Sequence, residues 1–81
     1  MAKTREEKFI LKLYEAALLQ GEWDSYVDSV KVAKAIGVRE NSFKTILQLL
    51  TQGNFIKKPR GATDVCLTEH GLKLVKSLLG K

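Results

Sequence analysis

The sequence predicts an α+β, mostly α domain: a three-helix core, a β-hairpin and a C-terminal helix. Three observations predict this class. Apolar residues recur at spacings of three and four in separate segments, which is typical of helices with one buried face. Residues that cap helices stand at the ends of those segments. Between residues 55 and 67, two short extended stretches flank a turn-forming run. With 81 residues, the chain is expected to form a single domain over residues 1–81.

The first helix is predicted at about residues 5–20. Thr4 and Glu7 have the spacing of a capping box, and Gly21 can adopt the left-handed conformation that ends a helix. Its predicted core face comprises Phe9, Ile10, Leu13, Ala16 and Ala17.

A helix-turn-helix is predicted at about residues 28–52, after a short strand at Tyr26-Val27. Asp28 is a good cap for a helix that ends at Gly37. The next helix is predicted to begin between Arg39 and Asn41 and to run to Gln52. Because Arg39-Glu40 caps it poorly, a later start at Asn41 or Ser42 is the alternative. Its inward face comprises Phe43, Ile46, Leu47 and Leu50, and Gly53-Asn54, which both tolerate positive φ, end it.

The hairpin is predicted at about residues 55–67. Phe55 to Lys58 is extended in character, Pro59 suits a strand edge, and Val65 to Leu67 is the returning strand. Thr68 then caps a last helix at about residues 69–79, with Leu72, Val75, Leu78 and Leu79 facing inward.

The net charge of +5 is unevenly distributed along the chain. Residues 1–24 carry a net charge of −1, residues 25–52 carry +2 and residues 53–81 carry +4. A positive field on one part of a small domain suits a polyanionic partner, although it also fits a plain solvated surface.

Cysteine usage and hydropathy exclude several classes. The single cysteine, Cys66, allows no intrachain disulfide or Cys-based metal cage and is expected to be buried. Neither a signal peptide nor a membrane span is expected, so the predicted location is cytoplasmic, or nucleoid-associated if the protein binds DNA.

A family resemblance is carried by motifs between Asp28 and Leu72. They are Ala33-Lys34-Ala35-Ile36-Gly37-Val38, the apolar set Phe43, Leu47 and Leu50, then Gly53-Asn54-Phe55-Ile56 and Leu67-Thr68-Glu69-His70-Gly71-Leu72. In this order they resemble the winged helix-turn-helix domains of bacterial and archaeal transcription regulators such as the MarR-like proteins. Two departures are Arg39-Glu40 in place of the usual Ser or Thr, and Asn54 where the family prefers Gly.

The resemblance implies that the third helix is a recognition helix for double-stranded DNA. The face opposite its apolar residues carries Asn41, Thr45, Gln48 and Gln52, with Lys44 beside them and Ser42 nearer the edge. Asn and Gln can bond adenine bidentately in the major groove, and Thr can contact a base edge or a thymine methyl group. Arg39 can reach a phosphate or a guanine. The alternative is a plain solvated helix face.

Basic residues supply the other predicted contacts. Lys57, Lys58 and Arg60 form the densest basic cluster, and on a hairpin they would reach the backbone or the minor groove. The same residues would also protect an edge strand from pairing. Lys31 and Lys34 lie where the family's second helix approaches the backbone.

Catalysis is not expected. The only histidine, His70, is expected to be exposed and non-catalytic, and the sequence has no triad, paired-acid site, phosphate loop or metal spacing. We expect no enzyme activity, no cofactor and no membrane partner.

Surplus apolar residues on the terminal helices predict self-association. They are Leu11, Tyr14, Leu18 and Leu74. A homodimer paired through these helices would present two recognition helices to adjacent turns of DNA. The alternative function is a winged-helix protein-interaction module, which the apolar surplus and the lack of arginine on the third helix would favour.

Overall fold

The computed structural model describes residues 4–58 and 63–80. Within them the chain is a mostly helical α+β structure, as predicted. Its elements are α1 (Arg5–Leu19), β1 (Val27–Asp28), α2 (Ser29–Ile36), α3 (Glu40–Gln52), β2 (Ile56–Lys57), β3 (Asp64–Leu67) and α4 (Glu69–Leu78).

The predicted capping box begins α1. The Thr4 hydroxyl accepts a hydrogen bond from the Glu7 amide at 3.2 Å, and the Glu7 carboxylate accepts one from the Thr4 amide at 2.8 Å. The helix ends at Leu19, one residue before the predicted end, and Gly21 has a φ of 127°. The chain therefore turns away from α1 where the sequence indicated.

The three strands of the described residues form an antiparallel sheet in the order β1-β3-β2. Val27 pairs with Val65, and Ile56 pairs with Leu67. The prediction of a strand at Tyr26-Val27 was one residue early, and β3 begins one residue before the predicted start, at Asp64. Strand ends depend on the pairing between β1 and β3, which local sequence does not encode.

The helix pair α2 and α3 meets at a turn closed by Gly37. The Asp28 carboxylate caps α2 through the Val30 amide at 3.0 Å, and Gly37 is left-handed with a φ of 73°. The helix α3 begins at Glu40, within the predicted range from Arg39 to Asn41, and the alternative late start was wrong. Arg39 makes no side-chain cap bond, yet its carbonyl accepts the first helical hydrogen bond, from the Phe43 amide at 2.8 Å. Its extended backbone alone is sufficient to begin the helix.

The end of α3 also differs in detail from the prediction. Only Asn54 has a positive φ, 62°, whereas Gly53 has a φ of −82°. Asn54 thus supplies the left-handed residue after the helix.

One apolar cluster joins the helices to the sheet. Phe9, Ile10 and Leu13 of α1 are fully buried, and so are Val65 of β3 and Val75 of α4. Cys66 is buried, as predicted. The inward placement of Leu79 was wrong: α4 ends at Leu78, and Leu79 lies beyond the last turn with 54% of its surface exposed.

None of the helices in the described ranges is long and apolar enough to cross a membrane.

Candidate nucleic-acid interface

The outward face of α3 is polar. Ile46 and Leu50 are buried beneath it, while Phe43 and Leu47 pack at the edge of the core. The predicted contact residues Asn41, Lys44, Thr45, Gln48 and Gln52 are all exposed. Hydrophobic periodicity therefore placed this face correctly.

Two open grooves run along the flanks of α3. The hairpin-side groove, of about 490 Å³, is lined by Lys44, Leu47, Gln48, Thr51, Gln52 and Lys58. The α1-side groove, of about 650 Å³, is lined by Thr4, Arg5, Glu6, Asn41, Ser42, Thr45, Ile46 and Leu49. The predicted polar face is thus divided, with Gln48 bordering one groove and Asn41 bordering the other.

Hydrogen bonds already occupy the hydroxyl groups along α3. Thr45 donates to the Asn41 carbonyl at 3.2 Å, and Thr51 donates to the Leu47 carbonyl at 2.7 Å. Bonding of this kind to the preceding turn is common for threonine in helices. Thr45 therefore presents its methyl group and oxygen lone pairs outward, so it can accept a hydrogen bond or contact a thymine methyl group.

Ser42 has a partner that the sequence did not indicate. Its hydroxyl oxygen accepts a hydrogen bond from Arg5 Nη1 at 2.7 Å. Ser42 is half-buried, so its side chain is less available to a base edge than those of Asn41 and Thr45.

The basic residues of the hairpin lie beside α3. Lys57 and Lys58 are exposed, and Lys58 lines the hairpin-side groove. The third predicted member of this cluster, Arg60, lies outside the described residues, as does Pro59.

The hairpin is attached to α2 at its turn end and to α4 at its base. The Thr63 carbonyl accepts hydrogen bonds from both the amide and the hydroxyl of Ser29, which is completely buried. Just before β2, the Asn54 carbonyl accepts a hydrogen bond from the Thr68 hydroxyl, and the Phe55 carbonyl accepts one from the Thr68 amide at 3.2 Å. The start of β2 and the start of β3 are therefore both held against helix N-termini.

The remaining predicted cations lie on α2 and in the turn before α3. Lys31 and Lys34 are exposed on α2, and Arg39 is exposed before α3. Lys34 lines a shallow groove of about 290 Å³ with Val30 and Phe43, between α2 and α3.

The four residues predicted for a dimer interface differ in exposure. Leu18 is 46% exposed, whereas Leu11, Tyr14 and Leu74 are half-buried and pack against the core. Three more leucines are exposed that were not predicted for an interface: Leu19 (90% exposed), Leu49 (47%) and Leu79 (54%). Leu19 and Leu49 lie outside the core-facing arc of their helices. The helical spacing of the apolar residues would therefore have predicted that both are exposed.

Tyr26 is the one residue of the described chain whose pKa is clearly perturbed. Repulsion from Cys66 is the main cause that raises the pKa of Tyr26, with a hydrogen bond to Cys66 and slight desolvation adding to it. The two residues connect the segment before β1 to β3, away from α3.

No comparison provides a relative for this chain: no protein-family model, curated protein or solved structure matches it. Among the described residues, no group of three His, Cys, Asp or Glu side chains is placed to hold a metal ion. His70 is exposed and stacks on Phe55, with ring centroids 4.7 Å apart. Function must therefore be inferred from the residues and charges around α3.

Proposed function

We propose that this chain is a winged helix-turn-helix protein that binds double-stranded DNA, as a small transcriptional regulator rather than an enzyme. In this proposal α3 is the recognition helix in the major groove, and the β2–β3 hairpin is the wing. The observation that carries the proposal is the hairpin-side groove, in which Gln48 of α3 lies beside Lys44 and Lys58. A base-reading amide and two phosphate-neutralising cations thus share one surface.

The order of elements supports this assignment. A helix-turn-helix closed by left-handed Gly37 is followed by an antiparallel hairpin and a capped helix. A strand before α2 completes the sheet by pairing with β3. This arrangement agrees with the winged helix that the motifs resemble, and it positions the hairpin on one flank of α3.

The side chains on α3 suit reading of the major groove. The amides of Asn41, Gln48 and Gln52 can each donate and accept, which matches the N6 and N7 pattern of adenine. Thr45 can contact a thymine methyl group. An interface of this composition favours A·T base pairs over G·C base pairs.

Charge supports an anionic partner. The net charge is +5, and the segment from residue 53 onward carries most of it. Lys57 and Lys58 would contact phosphates on the wing, while Lys31 and Lys34 of α2 would contact the backbone near the turn. Such contacts fix orientation on the duplex without reading sequence.

Titration of the 15N-labelled protein with duplex DNA tests the proposal. We expect amide shifts in residues 41–52 and at Lys57 and Lys58, and we expect them to weaken as salt rises from low to moderate concentration. The amides of the second half of α4 serve as the internal control. Shifts absent from both α3 and the wing would exclude this function.

A protein-interaction module is the second candidate. Leu18 and Leu19 at the end of α1 and Leu79 after α4 are substantially exposed, and α3 contains no arginine. Exposed apolar area on so small a protein favours an interface. We propose that these residues, with the predicted Leu11, Tyr14 and Leu74, serve a homodimer. If the DNA titration leaves α3 unshifted, a protein partner becomes the favoured function.

A further inference from the structure

Three cations converge on a further groove beside α3, which we call the cationic groove. It has a volume of about 270 Å³ and is lined by Arg5, Lys8, Ile36, Gly37, Val38, Arg39 and Ser42. Arg5 and Lys8 come from the first two turns of α1, whereas Arg39 comes from the turn before α3. Arg39 was predicted from the sequence to lie near DNA, whereas no role was predicted for Arg5 or Lys8.

The nearby carboxylates do not line this groove. Among the described residues that line it there is no Asp or Glu. Glu6 instead lines the α1-side groove, Glu40 lines the groove beside Lys34, and Glu7 is bonded to the Thr4 amide. The side chains that line the cationic groove thus include three positive charges and no negative one, which favours an anion.

Arg5 is positioned before any ligand arrives. Its Nη1 donates to the Ser42 hydroxyl at 2.7 Å, which links the start of α1 to α3. A guanidinium carries five N–H donors in a rigid fork, so several remain for a second acceptor. Phosphate oxygens match that fork better than a single neutral acceptor does. Ser42 is thus a positioning residue for Arg5.

The cationic groove lies on the flank of α3 away from the wing. Successive helix residues are about 100° apart, so Ser42 and Leu49 lie on one flank while Lys44 and Thr51 lie on the other. Lys58 borders the Lys44 flank, and Arg5 borders the Ser42 flank. The outward residues Asn41, Thr45 and Gln48 lie between these two sets of cations.

We propose that the cationic groove binds a backbone phosphate of duplex DNA on the flank of α3 opposite to Lys58. The major groove is about 12 Å wide and a helix with its side chains is about 10–12 Å across, so a helix inserted there has a phosphate backbone on each side. Lys58 would contact one backbone, and Arg5, Lys8 and Arg39 would contact the other. This inference rests on the proposed DNA-binding function and identifies the second half of its backbone contact.

The salt dependence of binding tests the inference. Affinity for a mixed-sequence duplex of about 20 base pairs is measured over a range of salt for the wild type and the double variant Arg5→Gln/Lys8→Gln. We expect the variant to lower the magnitude of the slope of log affinity against log salt concentration by about 0.9, the contribution of one phosphate contact. The double variant Lys73→Gln/Lys76→Gln on α4 removes the same charge at exposed positions and should change the slope by less than about 0.5.

A charge-neutral substitution tests the positioning of Arg5. Ser42→Ala removes the acceptor without changing net charge and is expected to weaken binding about threefold, the loss of one ordinary hydrogen bond. Ser42→Thr keeps the hydroxyl and should restore wild-type affinity. An equal loss in both variants would exclude the positioning role of Ser42.

The outcomes separate this inference from the proposed function. If Lys58→Gln lowers the salt slope but Arg5→Gln/Lys8→Gln does not, the phosphate site is excluded while DNA binding by α3 and the wing stands. If the wild type does not bind the duplex, both are excluded. The side-chain Nε–H signals of Arg5 and Arg39 in the wild-type protein provide a readout that needs no substitution. Their shift on adding duplex supports the site, and unchanged signals overturn it.

Discussion

The backbone of Phe55 packs so closely against Gly71 that a Cβ atom at position 71 would overlap the Phe55 carbonyl oxygen. That carbonyl also accepts the hydrogen bond from the Thr68 amide. The approach joins the residue before β2 to the first turn of α4. It gives a physical reason for the glycine at position 71, which is the room that the neighbouring backbone needs.

Replacing Gly71 by alanine should destabilise the protein. The added methyl group meets backbone rather than a movable side chain, and displacing Phe55 would break its hydrogen bond with Thr68. Overpacking of this kind costs about 1–3 kcal/mol, which exceeds the gain of about 0.5–1 kcal/mol from alanine's better helix propensity. Urea unfolding followed by circular dichroism measures the change.

Ser77→Ala is the matched control for this substitution. Ser77 is exposed on the same helix, so alanine there should leave the free energy of unfolding unchanged or raise it by about 0.5 kcal/mol. A Gly71→Ala variant as stable as Ser77→Ala would show that Phe55 can move away at little cost.

Asp28 is expected to stabilise two elements at once. Its carboxylate accepts from the Val30 amide at 3.0 Å, which caps α2, and from the Thr63 hydroxyl at 3.2 Å, which holds the start of β3. Asp28→Ala should lower the free energy of unfolding by about 0.5–2 kcal/mol, the usual cost of losing a helix cap. Asp24→Ala, at an exposed position of the preceding turn, removes the same charge and should have little effect. Equal losses in the two variants would assign the effect to net charge.

The sequence predicted most helix ends within a residue because their causes are local. Thr4, Asp28, Gly37 and Thr68 cap helices with side chains or conformations that a few neighbouring residues determine. The start of α3 at Glu40 lies within its predicted range, and only the alternative late start was wrong, because the poor side-chain cap at Arg39 does not delay the helix. The predicted ends of β1 and β3 were off by one residue because pairing between strands across the sheet determines where a strand begins and ends.

The parts of the candidate site that lie on α3 alone were predictable from the sequence, whereas the contacts between α3 and other elements were not. Periodicity placed Asn41 and Gln48 outward, and both are exposed. The contact between Arg5 and Ser42 was not predictable, because it depends on how α1 packs across α3. The same holds for the division of the polar face between two grooves, since that requires the position of Lys58 relative to α3.

Removing the Cys66 thiol should lower the pKa of Tyr26 toward its ordinary value. Repulsion from Cys66 is the largest cause that raises the pKa of Tyr26, so Cys66→Ala and Cys66→Ser should both lower it. Because folding raises this pKa, the associated stability is present below the ordinary value of 10.0 and is lost as pH rises through the raised pKa. Carbon-13 shifts of the Tyr26 ring against pH measure it. A Tyr26 titration unchanged in both variants would contradict the contact.

The exposed leucines at the end of α1 should support a homodimer. Leu18 is 46% exposed and Leu19 is 90% exposed, and the chain has a mass of 9.1 kDa. In sedimentation at tens of micromolar, we expect the wild type at twice that mass and Leu18→Gln/Leu19→Gln at the single-chain mass. Leu49→Gln, on α3, is the control and should remain dimeric. A wild type that sediments as a single chain would exclude the dimer.

Substitutions of Gln48 and Lys58 should have different effects although both residues line one groove: the first should lower sequence selectivity and the second should lower affinity for all sequences. A preferred sequence is first selected from random duplexes, and binding to it is compared with binding to mixed sequence. Gln48→Ala should remove about 1–3 kcal/mol of that discrimination, because an amide paired with a base edge reads sequence. Lys58→Ala should weaken binding to both duplexes alike and lower the magnitude of the salt slope by about 0.9, because a phosphate contact carries no sequence information.

Lys76→Ala on α4 is the control for charge and should change neither the discrimination nor the salt slope appreciably, because Lys76 is exposed on a helix that lines none of the described grooves beside α3. Two results would contradict the assigned roles. If Gln48→Ala weakens both duplexes equally, the amide is not reading a base. If Lys58→Ala leaves the salt slope unchanged, the wing does not contact the backbone through this residue. If α3 served only a protein partner, we would expect neither the loss of discrimination in Gln48→Ala nor the lower salt slope in Lys58→Ala. An apolar interface would depend on residues such as Leu49 instead.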